Sequence, residues 1–265
     1  MITRVSLSLI LIVGFSNLLT PMILPNLAAQ TSSDSSPEET EPDSRQTPNR
    51  IDVEFSDGKT KPFFFLQFLP TQYEADGEAL PLLIFLHGRG ECGNDLDRVK
   101  VWGPPKLVEN QEDFPFVVIS PQCPEPGWDV SAIKGLLDHA TKSLNVDTQR
   151  IYITGLSMGG YGTWKFAAEY PDLIAAAIPI CGGGHPAKAK DLVDVPIWAF
   201  HGDADSVVPV TQSQNMVQAI KDIDGSNVKL TIYEGVQHNS WQQTYANPEI
   251  YEWLLSHRRT VSSDD

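Results

Sequence analysis

A serine, an aspartate and a histidine of this chain have the contexts that nucleophilic catalysis needs. Gly155 through Gly159 reads G-x-S-x-G and places Ser157 at its centre. A serine hydroxyl is a poor nucleophile until a base removes its proton, and His238 can supply that base. Asp205 can then fix the tautomer of the imidazole and stabilise the imidazolium. Together, these three residues predict acyl transfer through a covalent acyl-serine.

The residues around Ser157 predict the sharp turn that exposes a catalytic serine. Residues 150–154 form a β-branched and aromatic run that predicts a buried strand. Residues 158–169 follow a helical pattern, and Pro171 ends it. A strand, a tight turn and a helix are the setting of a nucleophile elbow, and glycines two positions away on either side relieve its crowding. The alternative, a chance match in a glycine-rich loop, does not explain the strand and the helix.

Two carboxylates compete for the role of the triad acid. Asp203 and Asp205 both follow the apolar run at 195–200, and either could instead be a turn residue that bonds its own backbone. The spacing H-G-x-x-D-x-x-V-P favours Asp205. His238 follows a further predicted strand at 228–233, and the alternative for it is a solvated loop histidine. The chain order Ser, Asp, His differs from that of the chymotrypsin and subtilisin triads.

A glycine-rich loop upstream could bind the oxygen of a substrate carbonyl. It follows the apolar run at 81–86 and reads His87 through Glu91. Backbone N–H groups of such a loop can point at a developing oxyanion. We expect the N–H groups of Met158 and Arg89 to form the oxyanion hole, with an ordinary turn after a strand as the alternative.

The interval between the predicted strands at 173–180 and 195–200 limits the size of any cover over the site. Residues 182–194 can hold a loop and a turn of helix but no cap domain. We therefore expect a shallow open cleft. Trp128 and Trp241 are its candidate substrate-binding side chains, with core packing as the alternative for each.

Three motifs of the chain resemble those of a known group of enzymes. They are Leu86 through Glu91 (LHGxGE), Gly155 through Trp164 (GLSMGGYGTW) and His201 through Pro209 (HGxxDxxVP). Over residues 50–258 the chain resembles secreted bacterial α/β-hydrolase esterases related to the prolyl oligopeptidase and phospholipase/carboxylesterase families. The resemblance implies an α/β-hydrolase fold and a Ser-Asp-His triad. Arg89 departs from the pattern, because a small residue is commoner there, and it puts a long cation near the substrate entrance.

Strands and helices alternate along the chain, which predicts a mostly parallel, doubly wound α/β sheet. Two early strands, at 51–55 and 63–68, are expected to be antiparallel at one edge. The other expected strands lie at 81–86, 115–120, 150–154, 173–180, 195–200 and 228–233. The expected helices lie near 131–144, 158–169, 211–222 and 248–256. The catalytic loops all leave the carboxyl ends of strands, which is where ligands bind in open α/β sheets.

The first residues have the order of a secretory signal peptide. A short positive region, an apolar run and small residues at 27–29 follow one another. We therefore expect residues 1–29 to be removed on export to the periplasm or the outside of the cell, with an uncleaved anchor as the alternative. Residues 30–49 are acidic and polar and are expected to be a disordered linker. We expect the catalytic domain at 50–258 and a C-terminal tail at 259–265.

The net charge of −15 makes some classes of partner improbable. Leaving out residues 1–49 removes two arginines and five carboxylates, so the rest of the chain still carries −12. An acidic domain repels nucleic acid and anionic membrane surfaces. No phosphate-binding loop, dinucleotide motif or close-spaced His/Cys set is present, so we expect no cofactor and no metal. Of three cysteines, Cys92 and Cys123 could pair, which would leave Cys181 free.

These observations predict a serine carboxylic-ester hydrolase, similar to carboxylesterases. The expected substrate is a small-molecule ester or an ester on a polysaccharide, and neither nucleic acid nor, after signal cleavage, a membrane is an expected partner. The alternative is a peptidase of the prolyl oligopeptidase type that acts on small peptides, although such enzymes usually add a gating domain. A non-catalytic binding module on the same scaffold would have a broken triad. The oligomeric state does not follow from the sequence.

Overall fold

Residues 46–259 are described by the computed structural model, and their strands form one eight-stranded sheet. The strands are β1 (Gln46–Glu54), β2 (Thr60–Phe68), β3 (Leu80–Leu86), β4 (Val117–Pro121), β5 (Val146–Leu156), β6 (Ala176–Ile180), β7 (Ile197–Gly202) and β8 (Val228–Tyr233). Their order across the sheet is β1-β2-β4-β3-β5-β6-β7-β8. β2 is antiparallel to both β1 and β4, and the other neighbouring pairs are parallel. The expected mostly parallel sheet with antiparallel strands at one edge is therefore confirmed.

Six α-helices occur in the described part of the chain, four between strands and two after β8. They are α1 (Gly103–Leu107), α2 (Val130–Ser143), α3 (Met158–Glu169), α4 (Thr211–Lys221), α5 (Trp241–Ala246) and α6 (Glu249–Leu255). The four helices that the sequence predicts are present within one residue of the expected bounds. α2 begins where it does because the Asp129 carboxylate accepts the N–H groups of Ser131 and Ala132. Two helices, α1 and α5, were not expected from the sequence, and they have only five and six residues.

Helices cover the sheet on both faces. Alternate residues of β3 point to opposite sides, so Leu82 and Ile84 belong to one core cluster, and Leu83 and Phe85 belong to the other. The first cluster includes side chains of α2, α3 and α4, and the second includes side chains of α5 and α6. All four of these strand residues are fully buried, which explains why β3 reads as an unbroken apolar run. The doubly wound arrangement is confirmed.

The ordered domain begins earlier than the sequence analysis predicts. Residues 46–49, expected to be the end of a disordered linker at 30–49, are the first residues of β1 and pair with β2. Gln46 is 3% exposed, and its Nε2 donates to the Pro105 carbonyl at 2.8 Å. The polar composition of this stretch concealed a strand that pairs through its backbone. Pro48 is tolerated because β1 is an edge strand.

The two ends of the chain fall partly outside the described residues. The expected signal peptide at 1–29, the expected linker up to residue 45 and residues 260–265 are not described. Arg259, the first residue of the expected tail, donates its backbone N–H to the Gln149 carbonyl at 2.9 Å. Within residues 46–259, no helix has the length and hydropathy that crossing a membrane requires.

The turn between β5 and α3 is crowded. Ser157 has a φ of 53° and a ψ of −114°, outside the regions that non-glycine residues prefer. A Cβ atom on Gly155 would lie 2.5 Å from the Gly159 carbonyl oxygen, and one on Gly159 would overlap the Leu86 carbonyl group. The backbones of β3, β5 and α3 therefore meet at a distance that only glycine allows.

Replacing Gly159 by alanine should destabilise the fold. The added methyl group meets backbone atoms of Leu86 and His87, which cannot rotate away, and overpacking of this kind costs about 3 kcal/mol. A domain of this size should then lose roughly 10 °C in Tm, measured by circular dichroism. Gly90→Ala is the matched control, since nothing lies within 4 Å of the added atom. A Gly159→Ala protein with the wild-type Tm would contradict this account of the elbow.

Candidate active site

Ser157, His238 and Asp205 form a continuous chain of hydrogen bonds. The Ser157 Oγ lies 2.8 Å from the His238 Nε2, and the His238 Nδ1 lies 2.6 Å from the Asp205 Oδ2. Ser157 follows β5, Asp205 follows β7 and His238 follows β8. These strands run parallel in one sheet, so their carboxyl ends lie at the same edge and bring the three loops together. The geometry allows a proton to pass from the serine hydroxyl to the imidazole.

The carboxylate of Asp205 is held from two directions. Its Oδ1 accepts the backbone N–H groups of Val207 and Val208 at 2.9 and 2.8 Å, while Oδ2 faces His238. Its side chain is fully buried. The competing carboxylate, Asp203, is exposed, and its Oδ1 accepts the backbone N–H of Gly235 at 2.7 Å. Asp205 therefore contacts the imidazole, and Asp203 instead joins the loop after β7 to the loop after β8.

His201 is a buried histidine behind the carboxylate. Its Nε2 donates to the Val208 carbonyl at 2.9 Å and lies 3.4 Å from the Asp205 Oδ2. Its Nδ1 lies 2.8 Å from the Ser213 Oγ at the start of α4. Burial lowers the pKa of His201, which favours the neutral imidazole. His201 thus holds two segments in place through hydrogen bonds: the loop that carries Asp205, and α4, which follows that loop.

The imidazole of His238 is supported on one side by an aromatic ring. Trp241 packs against it in a T-shaped arrangement, with the ring centroids 5.3 Å apart. Trp241 itself is half-buried, while the side chain of His238 is 17% exposed. The imidazole is therefore oriented by Asp205 and Trp241 and still accessible from solvent. Of the two expected substrate-binding tryptophans, Trp241 lies next to the triad.

The loop after β3 carries one of the expected oxyanion donors. A 3-10 turn spans Arg89–Glu91, and Met158 is the first residue of α3. The first N–H groups of a helical segment have no acceptor within it. No acceptor for the N–H of Arg89 or Met158 occurs among the backbone hydrogen bonds of the described residues. Arg89 and Met158 remain the expected donors to a bound oxygen.

His87 holds this loop in place. Its Nε2 accepts the backbone N–H of Cys123 at 3.0 Å, so its Nδ1 carries the proton and donates to the Gly88 carbonyl at 2.7 Å. Burial lowers the pKa of His87, which favours this neutral form. Trp128 donates its indole N–H to the His87 carbonyl at 3.1 Å and is only 7% exposed. Trp128 therefore positions the loop, and little of its surface is left for a ligand.

The positioning roles of His87 and His201 were missed by sequence reasoning. Both residues stand inside the quoted motifs, and each begins a His-Gly dipeptide at the carboxyl end of an apolar strand. The dipeptide of His87 directly follows β3, and that of His201 forms the last two residues of β7. A glycine at this point lets the backbone pass close to another loop: a Cβ atom on Gly202 would overlap the Val236 carbonyl group. The sequence feature that could have indicated these positioning roles is the His-Gly dipeptide, which recurs at the ends of two strands, β3 and β7.

One group of three potential metal ligands occurs among the described residues. The ligand atoms of Cys181, Asp205 and His238 lie within 4.8 Å of one another. Burial raises the pKa of the Cys181 thiol to about 12, so it stays protonated and is a poor metal ligand at neutral pH. The other two groups already bond each other. This donor set fits a hydrogen-bonded pair better than a bound metal.

The three cysteines are free thiols in the structure. The considered bridge between Cys92 and Cys123 is not formed, and the Cys92 Sγ lies 3.9 Å from the Met158 Sδ. Burial raises the pKa of Cys92 and raises that of Cys123 to about 12. Neither thiol has the low pKa that a reactive cysteine needs.

Part of the chain matches a family of hydrolases. The model of the dienelactone hydrolase family matches residues 129–250. A bifunctional acetylxylan esterase/xylanase of Neocallimastix patriciarum is 28% identical over 148 residues, which cover 54% of this chain and 22% of that protein. The chain spans 22 to 50% of the length of the first curated relatives that it matches.

Solved structures with the same architecture include esterases and peptidases. A thermostable esterase is 35% identical, with a TM-score of 0.67 over 80% of this chain and 63% of that chain. The acylaminoacyl peptidase of Pyrococcus horikoshii has a TM-score of 0.60 over 83% of this chain and 43% of its own, and at 16% identity it shows the fold alone. The chain has the α/β-hydrolase fold, is similar in sequence to esterases, and shares its fold with peptidases.

Proposed function

We propose that this protein is a serine hydrolase that cleaves carboxylic esters through an acyl-enzyme. The observation that carries the proposal is the hydrogen-bond chain from the Ser157 Oγ through His238 to Asp205. Its order and its distances of 2.8 and 2.6 Å are those that general-base activation of a serine requires.

In this mechanism, the His238 Nε2 takes the proton of Ser157 as the Oγ attacks the ester carbonyl. The N–H groups of Met158 and Arg89 donate to the oxyanion of the tetrahedral intermediate. His238 then gives its proton to the alcohol oxygen, the C–O bond breaks, and the acyl group stays on Ser157. A water molecule, activated by the same imidazole, hydrolyses the acyl-enzyme. Asp205 stabilises the imidazolium in both halves of the reaction.

An ester is favoured over a peptide as the substrate. The thermostable esterase, at 35% identity, is the nearer relative in sequence, and the peptidase at 16% supports no more than the fold. Between β6 and β7, the described residues contain a 3-10 segment, Pro186–Leu192, and no inserted domain that could gate the site. Acetylxylan esterases among the relatives favour an ester carried by a polysaccharide.

We also propose that the protein is exported and that residues 1–29 are removed in the process. The support is the order of a positive region, an apolar run and small residues in the sequence. Sequencing the N-terminus of the protein from its native host should find a start close to residue 30. An intact Met1 in the membrane fraction would contradict cleavage.

Ser157 should be the residue that a fluorophosphonate probe modifies. The probe forms a covalent bond only with a serine whose proton has been taken by a base, and Ser157 is the serine that contacts His238. Mass spectrometry of the labelled protein should therefore find the adduct on Ser157. Ser157→Ala should lose both labelling and ester hydrolysis, whereas Ser143→Ala, on the exposed surface of α2, should keep both. Labelling of another serine, or turnover by Ser157→Ala, would refute the assignment.

Asp205→Asn should cost far more activity than Asp203→Asn. The amide at position 205 would present the wrong hydrogen-bonding partner to the imidazole, an effect of about 10⁴ in kcat in a serine protease triad. An amide at position 203 can still accept the Gly235 N–H, so the loss there should stay below about 10-fold. Steady-state kinetics on an aryl acetate measures both. Equal losses, or the reverse order, would show that the acid has been misassigned.

A further inference from the structure

A cavity of about 560 Å³ opens beside His238 on the loop between β8 and α5. It is lined by residues 235–239 and by Gln242 and Gln243. None of the described lining residues has a carboxylate, an ammonium or a guanidinium group. This neutrality contrasts with the net charge of −15 of the whole chain. The cavity is therefore suited to a polar, uncharged ligand.

Four of the lining side chains are carboxamides: Gln237, Asn239, Gln242 and Gln243. All four residues are exposed. Among the described residues, no side-chain hydrogen bond to the protein is made by any of these amides, while others, such as Gln46 and Gln122, are bonded. A carboxamide offers two N–H donors and a carbonyl acceptor, so a group of four matches the mixed donors and acceptors of a polyhydroxylated ligand.

A second, smaller cavity of about 240 Å³ adjoins the first and shares Gln242 with it. It is lined in part by two indole rings, those of Trp102 and Trp241, whose centroids are 6.1 Å apart. Lys106 also lines it, with its Nζ 4.9 Å from the centroid of the Trp102 ring. Both tryptophans are half-buried. Aromatic surface beside a few polar groups is the usual composition of a small-ligand site, and it can pack against the C–H face of a sugar ring.

The position of the amides indicates which part of an ester they would contact. In the proposed mechanism, on which this inference rests, His238 delivers its proton to the leaving alcohol. The alcohol must therefore lie next to the His238 imidazole, while the carbonyl oxygen faces Met158 and Arg89. Gln237 and Asn239 are the chain neighbours of His238 in the loop, and Gln242 and Gln243 lie in the first turn of α5, which follows that loop. All four line the same cavity as His238, the residue that the alcohol must approach.

We propose that Gln237, Asn239, Gln242 and Gln243 bind the hydroxyl groups of a neutral carbohydrate whose ester Ser157 cleaves. The carbohydrate is the alcohol part of the substrate, and the sugar next to the ester lies in the cavity beside His238. Trp102 and Trp241 supply apolar surface for a neighbouring sugar. The subsite makes the enzyme selective for a glycan ester over an aryl ester of the same acid.

The test is a change of selectivity in the double variant Gln242→Met/Gln243→Met. Methionine keeps the length and helix propensity of glutamine but cannot donate hydrogen bonds. We expect kcat/KM for an acetylated xylo-oligosaccharide, divided by kcat/KM for 4-nitrophenyl acetate, to fall about 10-fold, the effect of losing two hydrogen bonds between neutral groups. Gln214→Met, an exposed position of α4 outside both cavities, is the matched control and should keep the wild-type ratio.

An unchanged ratio in the double variant would overturn the proposal, because both substrates would then have changed together or not at all. A binding measurement separates this failure from failure of the proposed function. Ser157→Ala, titrated by NMR with an unacetylated xylo-oligosaccharide, should shift loop resonances of residues 235–243, and the added Gln242→Met/Gln243→Met pair should weaken the affinity about 10-fold. Absence of binding refutes the subsite, whereas binding without hydrolysis by the wild type refutes the esterase and leaves the subsite standing.

Discussion

The close approach of three backbones under Ser157 is the constraint on which the site depends. Gly159 sits against the Leu86 carbonyl, and Gly160 sits against the Ile180 carbonyl, so the first turn of α3 is pressed between the ends of β3 and β6. Ser157 donates its own N–H to Ile180 at 2.9 Å. The positive φ of Ser157 is strained, and the surrounding packing maintains this conformation. The loops after β3 and β6 are thereby held at fixed positions relative to the serine.

Two buried histidines repeat one structural solution on either side of the elbow. His87 directly follows β3, and His201 lies at the carboxyl end of β7. Each bonds a backbone carbonyl of the loop after its strand and a group from another segment. Burial lowers the pKa of both, so both act as neutral hydrogen-bonding pieces. Their loops bear Arg89 and Asp205. The loop that would stabilise the oxyanion and the loop that would stabilise the imidazolium are thus both held in place by hydrogen bonds of a buried, neutral histidine.

The sequence predicted what depends on local patterns and missed what depends on distant contacts. The strand at β5, the helix at α3 and the spacing of Asp205 leave signals in consecutive residues, and the structure reproduces the elements with small shifts at their ends. The start of β1 left no signal, because Gln46 is buried by a partner 59 residues away. The cavity that the four amides share could not be predicted either, because exposed glutamines and asparagines are common and only the fold brings these four together with His238.

Both ends of the described chain lie near the amino ends of the parallel strands, and the triad lies at the carboxyl ends. Gln46 starts β1 at the side where β3 and β5 begin, and Arg259 bonds Gln149 near the start of β5. Ser157, Asp205 and His238 all follow the other ends of their strands. A bead, a carrier protein or a solid support attached at either end would therefore hold the molecule with its cleft facing outward. Immobilisation through these points should leave the catalytic serine accessible from solution.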